Sequence, residues 1–301
     1  MEAKYHIPAL LTETVDLLNI KPNGIYVDLT FGGGGHSRAI VQHLTSGKLI
    51  AFDRDNDAVK NALSNERFIF IRNNFKFLRN LLRYNGIDQV DGILADLGVS
   101  FHHFDTEERG FSFRFEEANM DMRMTQEAEL TAQKLVNTYD QKKLQYIFSV
   151  YGELDNASRL ANAIVKAREN NSITTIQEFI NIISHCIPKH SEHKYLAKIF
   201  QALRIEVNGE MQALSQMLPQ TLKVLKQGGR LAVIAYHSLE DRMVKNFMKT
   251  GNIEGKTEKD FYGNTVTPFQ VITKKAVMPS VEEIEKNNRA RSAKLRVAEK
   301  R

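Results

Sequence analysis

The sequence predicts an α/β protein with a Rossmann-like, doubly wound sheet and an inserted all-helical subdomain. Short, nearly continuous apolar runs alternate with helix-length stretches in the first third of the chain. A glycine-rich turn follows the first apolar run, and a long segment with helical spacing interrupts the alternation before a fifth run. Runs without polar alternation are typical of parallel strands, because helices cover both faces of such a sheet.

Six segments have the composition of strands bounded by turn residues. They are 24–30, 47–55, 67–73, 90–98, 229–238 and 268–275. Helix-length stretches lie between the early strands, at 37–44 and 56–64. Asp55 stands where it can cap the second of these helices. Gly228 and Gly229 are expected to end the helix that precedes the fifth strand.

The regular alternation stops after the fourth strand. From there to about residue 208, apolar residues recur at i, i+3 and i+4, which predicts several amphipathic helices. We therefore expect a helical insertion at 125–206 within an α/β domain formed by 1–124 and 207–301. Thr174, three residues before Gln177, fits a capping box at the start of one of these helices.

Composition and charge bound the class of protein. The chain has 301 residues and one cysteine, Cys186, so a disulfide within the chain is excluded and a reducing compartment is expected. No signal peptide and no membrane span are visible, which predicts a cytoplasmic, soluble protein. We interpret the cluster of Cys186 with His185, His190 and His193 as a helix end and loop, with no metal site.

The positive charge of the protein is concentrated at one end. Residues 286–301 hold seven of the 41 basic residues but one of the 36 acidic ones, while the net charge of the whole chain is +5. This basic C-terminal segment has two interpretations, a solvated, frayed tail or a segment that contacts nucleic-acid phosphates. On the second interpretation, removing 286–301 weakens RNA binding and its dependence on salt.

The four consecutive glycines Gly32–Gly35 follow the first predicted strand and precede a helix. Amides at a helix N-terminus can face a ligand. A phosphate-binding loop of NTPases requires a lysine after its last glycine, but His36 stands there. The spacing also fails the G-x-G-x-x-G pattern, which disfavours a nicotinamide-dependent oxidoreductase.

Candidate ligand contacts follow three of the predicted strands. Asp53, eighteen residues after Gly35, can accept hydrogen bonds from ribose hydroxyls. Phe75 follows the third strand, where it either lies against an adenine or belongs to the core. Asp96 ends the fourth strand, at the carboxyl edge of the sheet where ligands of this architecture bind. A carboxylate in so apolar a strand favours a functional role, since its unpaired burial is costly.

Seven blocks of this sequence closely resemble, in order and nearly end to end, the MraW/RsmH family. Members of that family are bacterial S-adenosylmethionine (SAM)-dependent methyltransferases that modify the N4 atom of a cytidine in small-subunit ribosomal RNA. The blocks are DLTFGGGGHSRAI, AFDRD, GILADLGVS, ERGFSFRFEEANMDMRM, LRIEVNGE, AYHSLEDR and RARSAKLRVAEK.

The resemblance implies a class I SAM-dependent methyltransferase fold with a helical insertion. It also implies SAM as cofactor. The cofactor contacts that it implies are Gly34, Gly35, His36, Asp53, Phe75, Asp96 and His103. The family commonly reads Ser-Ser-Pro-Gln or Ser-Ser-His-Gln where this chain has Ser100 to His103.

The implied reaction makes Asp96 the candidate catalytic residue. An acceptor beside N4 stabilises the positive charge that develops there and can receive the leaving proton. Other amino methyltransferases place an aromatic residue shortly after this position, but Asp96 is followed by Leu-Gly-Val. The aromatic contact to the base is therefore expected elsewhere, with Phe111 and Phe113 as candidates.

The expected partner is small-subunit ribosomal RNA or the small ribosomal subunit, without a membrane. A homodimer is left open. The alternative function is that of a non-enzymatic RNA-binding assembly factor on the same fold. Retention of Gly34, Asp53 and Asp96 disfavours this alternative.

Overall fold

The computed structural model describes residues 8–99, 101–263 and 265–301. The chain divides into two compact units. The first contains the described residues up to Gly98 together with Met211–Arg301, and the second spans Val99–Glu210.

A seven-stranded mixed sheet forms the centre of the first unit, in the order β3-β2-β1-β4-β5-β9-β8. Neighbouring strands among the first five pair in parallel, whereas β9 is antiparallel to both β5 and β8. The predicted α/β architecture is confirmed. The strands of this sheet are β1 (Ile25–Asp28), β2 (Lys48–Asp53), β3 (Phe68–Arg72), β4 (Val90–Asp96), β5 (Leu225–Ala235), β8 (Phe269–Val271) and β9 (Lys294–Lys300).

Helices and a small hairpin complete the first unit. Two short strands, β6 (Glu258–Lys259) and β7 (Thr265–Val266), pair antiparallel apart from the main sheet. None of the helices in the described part of the chain is both long and apolar enough to cross a membrane. The helices are α1 (Leu11–Leu18), α2 (Gly35–Gln42), α3 (Asn56–Val59), α4 (Leu78–Tyr84), α11 (Glu210–Val224), α12 (Ser238–Thr250) and α13 (Val281–Lys286).

Apolar side chains cover both faces of the sheet. Tyr26 and Leu49 belong to one buried cluster, whereas their neighbours Val27 and Ile50 belong to another. Successive side chains of a strand point to opposite faces, so each cluster fills one face. This double coverage explains why the strands lack polar alternation.

The second unit is helical, as the spacing of its apolar residues predicts. Its buried cluster also includes Phe111, Met120 and Met124, which precede the first long helix. The unit therefore begins at Val99, earlier than the predicted start at 125, because this connecting segment buries its apolar side chains in the helical core. Its helices are α5 (Phe101–Asp105), α6 (Ala132–Thr138), α7 (Gln141–Val150), α8 (Ala157–Arg168), α9 (Ile176–Ile183) and α10 (Glu192–Asn208).

The capping box of α9 lies one residue later than predicted. Thr175 is the N-cap, and its hydroxyl accepts a hydrogen bond from the backbone N–H of Glu178. The Glu178 carboxylate accepts in return from the N–H groups of Thr174 and Thr175. Gln177 instead donates to Asn181, so the predicted pair was wrong by one position.

The expected helix stop at Gly228-Gly229 was also wrong. Helix α11 ends at Val224 and strand β5 begins at Leu225, so both glycines lie within the strand. The pairing of β5 with β4 shifts register between Val90 and Gly92, next to these glycines. Gly228 has a φ of 74°, a backbone conformation that favours glycine. The two glycines therefore accommodate an irregularity in strand β5 and do not end the helix.

The basic C-terminal segment contradicts the expectation of a frayed tail. Its last part is strand β9, which lies between β5 and β8 in the main sheet. Leu295, Val297 and Ala298 are fully buried. Arg230 of β5 donates to Glu299 of β9 at 3.0 Å. The segment is thus part of the structural core of the first unit.

Candidate functional site

Polar residues of the first unit follow the carboxyl ends of four neighbouring parallel strands. Asp28 ends β1, Asp53 ends β2, Asp96 ends β4, and Tyr236 directly follows β5. Because these strands are parallel and adjacent, their carboxyl ends lie along one edge of the sheet. The sequence predicts Asp53 and Asp96 at this edge, but not Asp28 or Tyr236.

The glycine loop joins β1 to α2 at the same edge. Gly34 is the N-cap residue of α2 and has a φ of 75°, where a side chain is strained. A Cβ atom at Gly34 would lie 2.7 Å from Phe31, and one at Gly35 would lie 2.8 Å from Pro8. Gly32 also has a positive φ, of 51°, but an added Cβ would meet open space there. The loop therefore requires glycine both for its conformation and for close contacts.

Asp28 connects the end of β1 to the first turn of α2. The Ser37 hydroxyl donates to its Oδ2 at 2.7 Å, and the N–H of Thr30 donates to its Oδ1 at 3.1 Å. The residue is 1% exposed, and burial raises the pKa of its carboxyl to about 6, against the hydrogen bond from Ser37. A carboxylate inside the apolar run YVDLT is the sequence signal that could have identified it.

Asp53 fixes the glycine loop from the neighbouring strand. Its Oδ2 accepts a hydrogen bond from the N–H of Gly32 at 2.7 Å, and its Oδ1 accepts from the N–H of Asp55 at 2.8 Å. Asp55 in turn caps α3 by accepting from the N–H of Asp57, as predicted. Asp53 thus links the glycine loop to the start of α3 at the carboxyl end of β2.

Two hydrogen bonds from different parts of the chain hold Asp96, and a histidine lies beside it. The Tyr236 hydroxyl donates to Asp96 Oδ1 at 2.8 Å. The backbone N–H of Asp96 donates to the Thr30 hydroxyl at 2.6 Å. His36 Nδ1 lies 3.7 Å from its Oδ2. Burial raises the pKa of the Asp96 carboxyl to about 7 despite the Tyr236 hydrogen bond, and the charges of Asp28 and Glu240 raise it further. Its side chain nevertheless stays 19% exposed.

His36 is buried next to this carboxyl. Its Nε2 lies 3.1 Å from the carbonyl oxygen of Ala9, which can only accept, so Nε2 carries the hydrogen. The structure thus brings the sequence-predicted residues Gly34, Gly35, His36, Asp53 and Asp96 to one edge of the sheet in the first unit.

Phe75 lies in the 3-10 turn that follows β3, half-buried against the apolar cluster that contains Val27. This position leaves part of the ring exposed, and it is compatible with both the core and the ligand interpretation. The Asn74 side chain caps the turn by accepting a hydrogen bond from the N–H of Lys76. This cap fixes the backbone on both sides of Phe75.

His103 belongs to the second unit. It is 3% exposed, and its ring centroid lies 4.9 Å from that of Phe111. Phe111 is itself 3% exposed, and Phe113 packs edge-on against Phe200. These aromatics form a buried face, so the Phe111 ring offers no open surface for a base. Ser100, the first residue of the block that ends at His103, lies outside the described residues.

Comparison with known proteins gives one consistent result. The family model of the MraW methylase family matches residues 3–301. Ribosomal RNA small subunit methyltransferase H from Bacteroides thetaiotaomicron is 58% identical over 301 residues, covering 100% of this chain and 99% of that protein. The proteins of the same name from Phocaeicola vulgatus and Flavobacterium psychrophilum are 59% and 56% identical. The two alignments cover 100% and 97% of this chain, and 99% and 100% of the respective relatives. With a family model and relatives that match nearly the whole chain, this protein belongs to the MraW methylase family, a family of methyltransferases.

Proposed function

We propose that this protein transfers a methyl group from SAM to the exocyclic N4 of a cytidine in small-subunit ribosomal RNA. Membership of a methylase family and relatives named as ribosomal RNA small subunit methyltransferases support the reaction class and the substrate. The observation that carries the mechanism is Asp96, a partly exposed carboxyl held by Tyr236 at the sheet edge beside the glycine loop. The reaction takes place in the cytoplasm, on the RNA or on the small ribosomal subunit.

The residues at this edge fit SAM. The tight turn through Gly34 and Gly35 excludes side chains and lets a ligand approach the backbone at the start of α2. Asp53, at the carboxyl end of β2, is placed to accept hydrogen bonds from the ribose hydroxyls, and the half-buried Phe75 offers an apolar surface for the adenine. His36 contributes from the first turn of α2. The inclusion of His103 rests on the family resemblance alone.

Bound SAM supplies an electrophilic methyl group on a sulfonium. The amino group of cytosine is a poor nucleophile, since its lone pair is delocalised into the ring, so positioning contributes most of the catalysis. Ionised Asp96 accepts a hydrogen bond from N4, which orients the amino group and stabilises its developing positive charge. A pKa of about 7 leaves a substantial ionised fraction at neutral pH and lets Asp96 accept the proton that N4 loses.

Methyl transfer from radiolabelled SAM tests this proposal. Small ribosomal subunits from cells that lack this enzyme are incubated with the purified protein, and the labelled nucleotide is identified by mass spectrometry. Label at N4 of one cytidine supports the proposal. Binding of the subunits without label, under conditions where SAM binds the protein, would support the assembly-factor alternative and contradict the proposed activity. Label at another atom would contradict the proposed specificity.

A further inference from the structure

Tyr236 stands at the turn that leaves the last parallel strand and enters α12. Its backbone N–H donates to Glu240 Oε2 at 2.9 Å, and this hydrogen bond fixes the backbone from which the Tyr236 side chain extends. Gly98, which follows β4, has a φ of 95°, and a Cβ atom there would lie 3.5 Å from the Tyr236 ring. The ring is therefore confined between the ends of two strands, and its hydroxyl reaches Asp96.

The charged and titratable groups around Asp96 come from every neighbouring element. Asp28 of β1 and Glu240 of α12 disfavour the ionised form of Asp96 by charge repulsion, in addition to its burial. Glu283 contributes a further negative charge near Tyr236. His36 of α2 lies beside Oδ2 at 3.7 Å, beyond hydrogen-bond distance. Against these influences, the hydrogen bond from Tyr236 lowers the pKa of Asp96.

We propose that Tyr236 is the positioning residue of the methyl-transfer reaction, holding Asp96 by Oδ1 so that Oδ2 accepts the proton from the target amino group. This inference rests on the proposed function. The hydroxyl can donate only while Tyr236 is itself neutral. Burial, foremost, and the neighbouring carboxyl groups raise the pKa of Tyr236 well above its ordinary value, which keeps it neutral. The negatively charged surroundings thus keep the Tyr236 hydroxyl protonated, and the hydrogen bond that it donates favours the ionised form of Asp96.

In the proposed step one bond forms, one bond breaks and one proton moves. The N4 lone pair forms the new bond to the methyl carbon, and the carbon–sulfur bond breaks with its electron pair going to sulfur. The methylated amino group carries one positive charge and passes a proton to Asp96 Oδ2, which becomes neutral. The neutral methylated base leaves, and Asp96 returns its proton to water. Tyr236 keeps its own proton throughout.

The test is the pH dependence of single-turnover methylation in Tyr236→Phe at saturating SAM and RNA. This variant keeps the ring and removes the hydroxyl. We expect the rate at neutral pH to fall about tenfold, as for loss of a hydrogen bond to a charged group. The acidic limb of the profile should move to higher pH, so the rate recovers as the pH rises. The dissociation constant of SAM should stay within about twofold of the wild-type value.

Tyr26→Phe is the matched control. Tyr26 is a buried tyrosine of the same unit whose hydroxyl accepts from the N–H of Lys21 at 2.6 Å. Its loss should lower the stability of the protein and leave the acidic limb in place. A profile of Tyr236→Phe with an unmoved acidic limb would overturn the positioning role. Absence of methylation by the wild-type protein would instead overturn the proposed function.

Site-specific replacement of Tyr236 by 3-fluorotyrosine keeps the proposal testable if Tyr236→Phe does not fold. Fluorine makes the hydroxyl a stronger donor while keeping it in place. The acidic limb should then move to lower pH, opposite to the shift in Tyr236→Phe. An acidic limb that stays at its wild-type position would count against the hydrogen bond as the determinant of Asp96 ionisation.

Discussion

Arg296 of β9 holds Asp241 of α12 in a two-point ion pair. Its Nε donates to Oδ1 at 2.6 Å and its Nη2 donates to Oδ2 at 3.2 Å. The two side chains are 13% and 15% exposed, so water screens the pair little. A residue of the basic C-terminal segment therefore connects the central sheet to the helix that follows Tyr236.

Loss of this ion pair should destabilise the protein. We expect Arg296→Ala to lower the free energy of unfolding by about 2 kcal/mol, because Asp241 then stays mostly buried without its partner. Lys294, whose Nζ lies 3.9 Å from Asp241 Oδ2, limits the loss. Urea unfolding followed by circular dichroism measures the change. Arg291→Ala, at an exposed position, is the control and should change the value by less than about 0.5 kcal/mol.

Removal of residues 286–301 should prevent folding of the first unit. The deletion takes away β9, which pairs with β5 on one side and β8 on the other. The buried side chains of Leu295 and Val297 would leave a gap in the sheet. The measurement is the yield of soluble protein and its thermal transition. A deletion variant that unfolds cooperatively near the wild-type temperature would show that β9 is dispensable.

The C-terminal segment shows what sequence patterns resolve and what they miss. Its high charge favours a tail, but Leu295 and Val297 alternate with Lys294 and Arg296, as in a strand with one buried face. The charged side chains of Arg296 and Glu299 found partners within the fold, and no local pattern identifies a partner more than fifty residues away. Whether other basic residues of the segment contact RNA stays a prediction.

The sheet edge was predictable for a different reason. Asp53 and Asp96 each end an apolar run, and parallel topology brings such ends together whatever the rest of the chain does. Tyr236 was not singled out because an aromatic residue after an apolar strand is ordinary in sequence. Its role depends on the 2.8 Å contact with Asp96, 140 residues away. Contacts of this kind follow from tertiary structure alone.

Asp96→Asn should separate catalysis from folding. Asparagine keeps the size of the side chain and can still accept from Tyr236, but it cannot take a proton from N4. We expect the single-turnover rate at saturating SAM to fall by about 100-fold or more, with a cooperative thermal transition retained. Rapid-quench measurement of labelled RNA gives the rate. Wild-type turnover by this variant would exclude Asp96 as the catalytic residue and leave it a positioning role for SAM.

Asp28 should make the protein less stable as the pH rises. Its pKa is about 6 in the folded protein and about 3.9 in an unfolded chain, so folding favours the protonated form. The contribution is present below about pH 4 and is lost as the pH rises through 6, by about 2 to 3 kcal/mol. Asp96, with a pKa of about 7, acts in the same direction. Stability should therefore decline between pH 4 and pH 7.

The variant Asp28→Asn tests this assignment. The Ser37 hydroxyl can turn to accept from the new amide, so the contact between β1 and α2 survives. The decline of the unfolding free energy between pH 4 and pH 7 should become smaller. The part of the decline that comes from Asp96 should remain. Asp88→Asn, at an exposed position, should leave the decline unchanged. Equal pH dependence in wild-type and Asp28→Asn would contradict the raised pKa of Asp28.

The glycine loop allows two substitutions that separate backbone strain from close contact. Gly34 and Gly32 both have positive φ values, of 75° and 51°, so alanine is strained at each, by about 1 kcal/mol. At Gly34 the new methyl group would also lie 2.7 Å from Phe31, which is 3% exposed and packed against Phe68. At Gly32 it would meet open space, with no described atom within 4 Å apart from those of the two adjacent residues of the chain.

Gly34→Ala should therefore shift the loop at the start of α2, while Gly32→Ala should leave its position nearly unchanged. We expect Gly34→Ala to weaken SAM binding by about tenfold or more, as a displaced backbone no longer fits the ligand. Gly32→Ala should weaken it by less than about threefold, unless the ligand fills the open space beside Gly32. Isothermal titration calorimetry with SAM gives both constants. A larger loss of affinity in Gly32→Ala than in Gly34→Ala would place the ligand against Gly32.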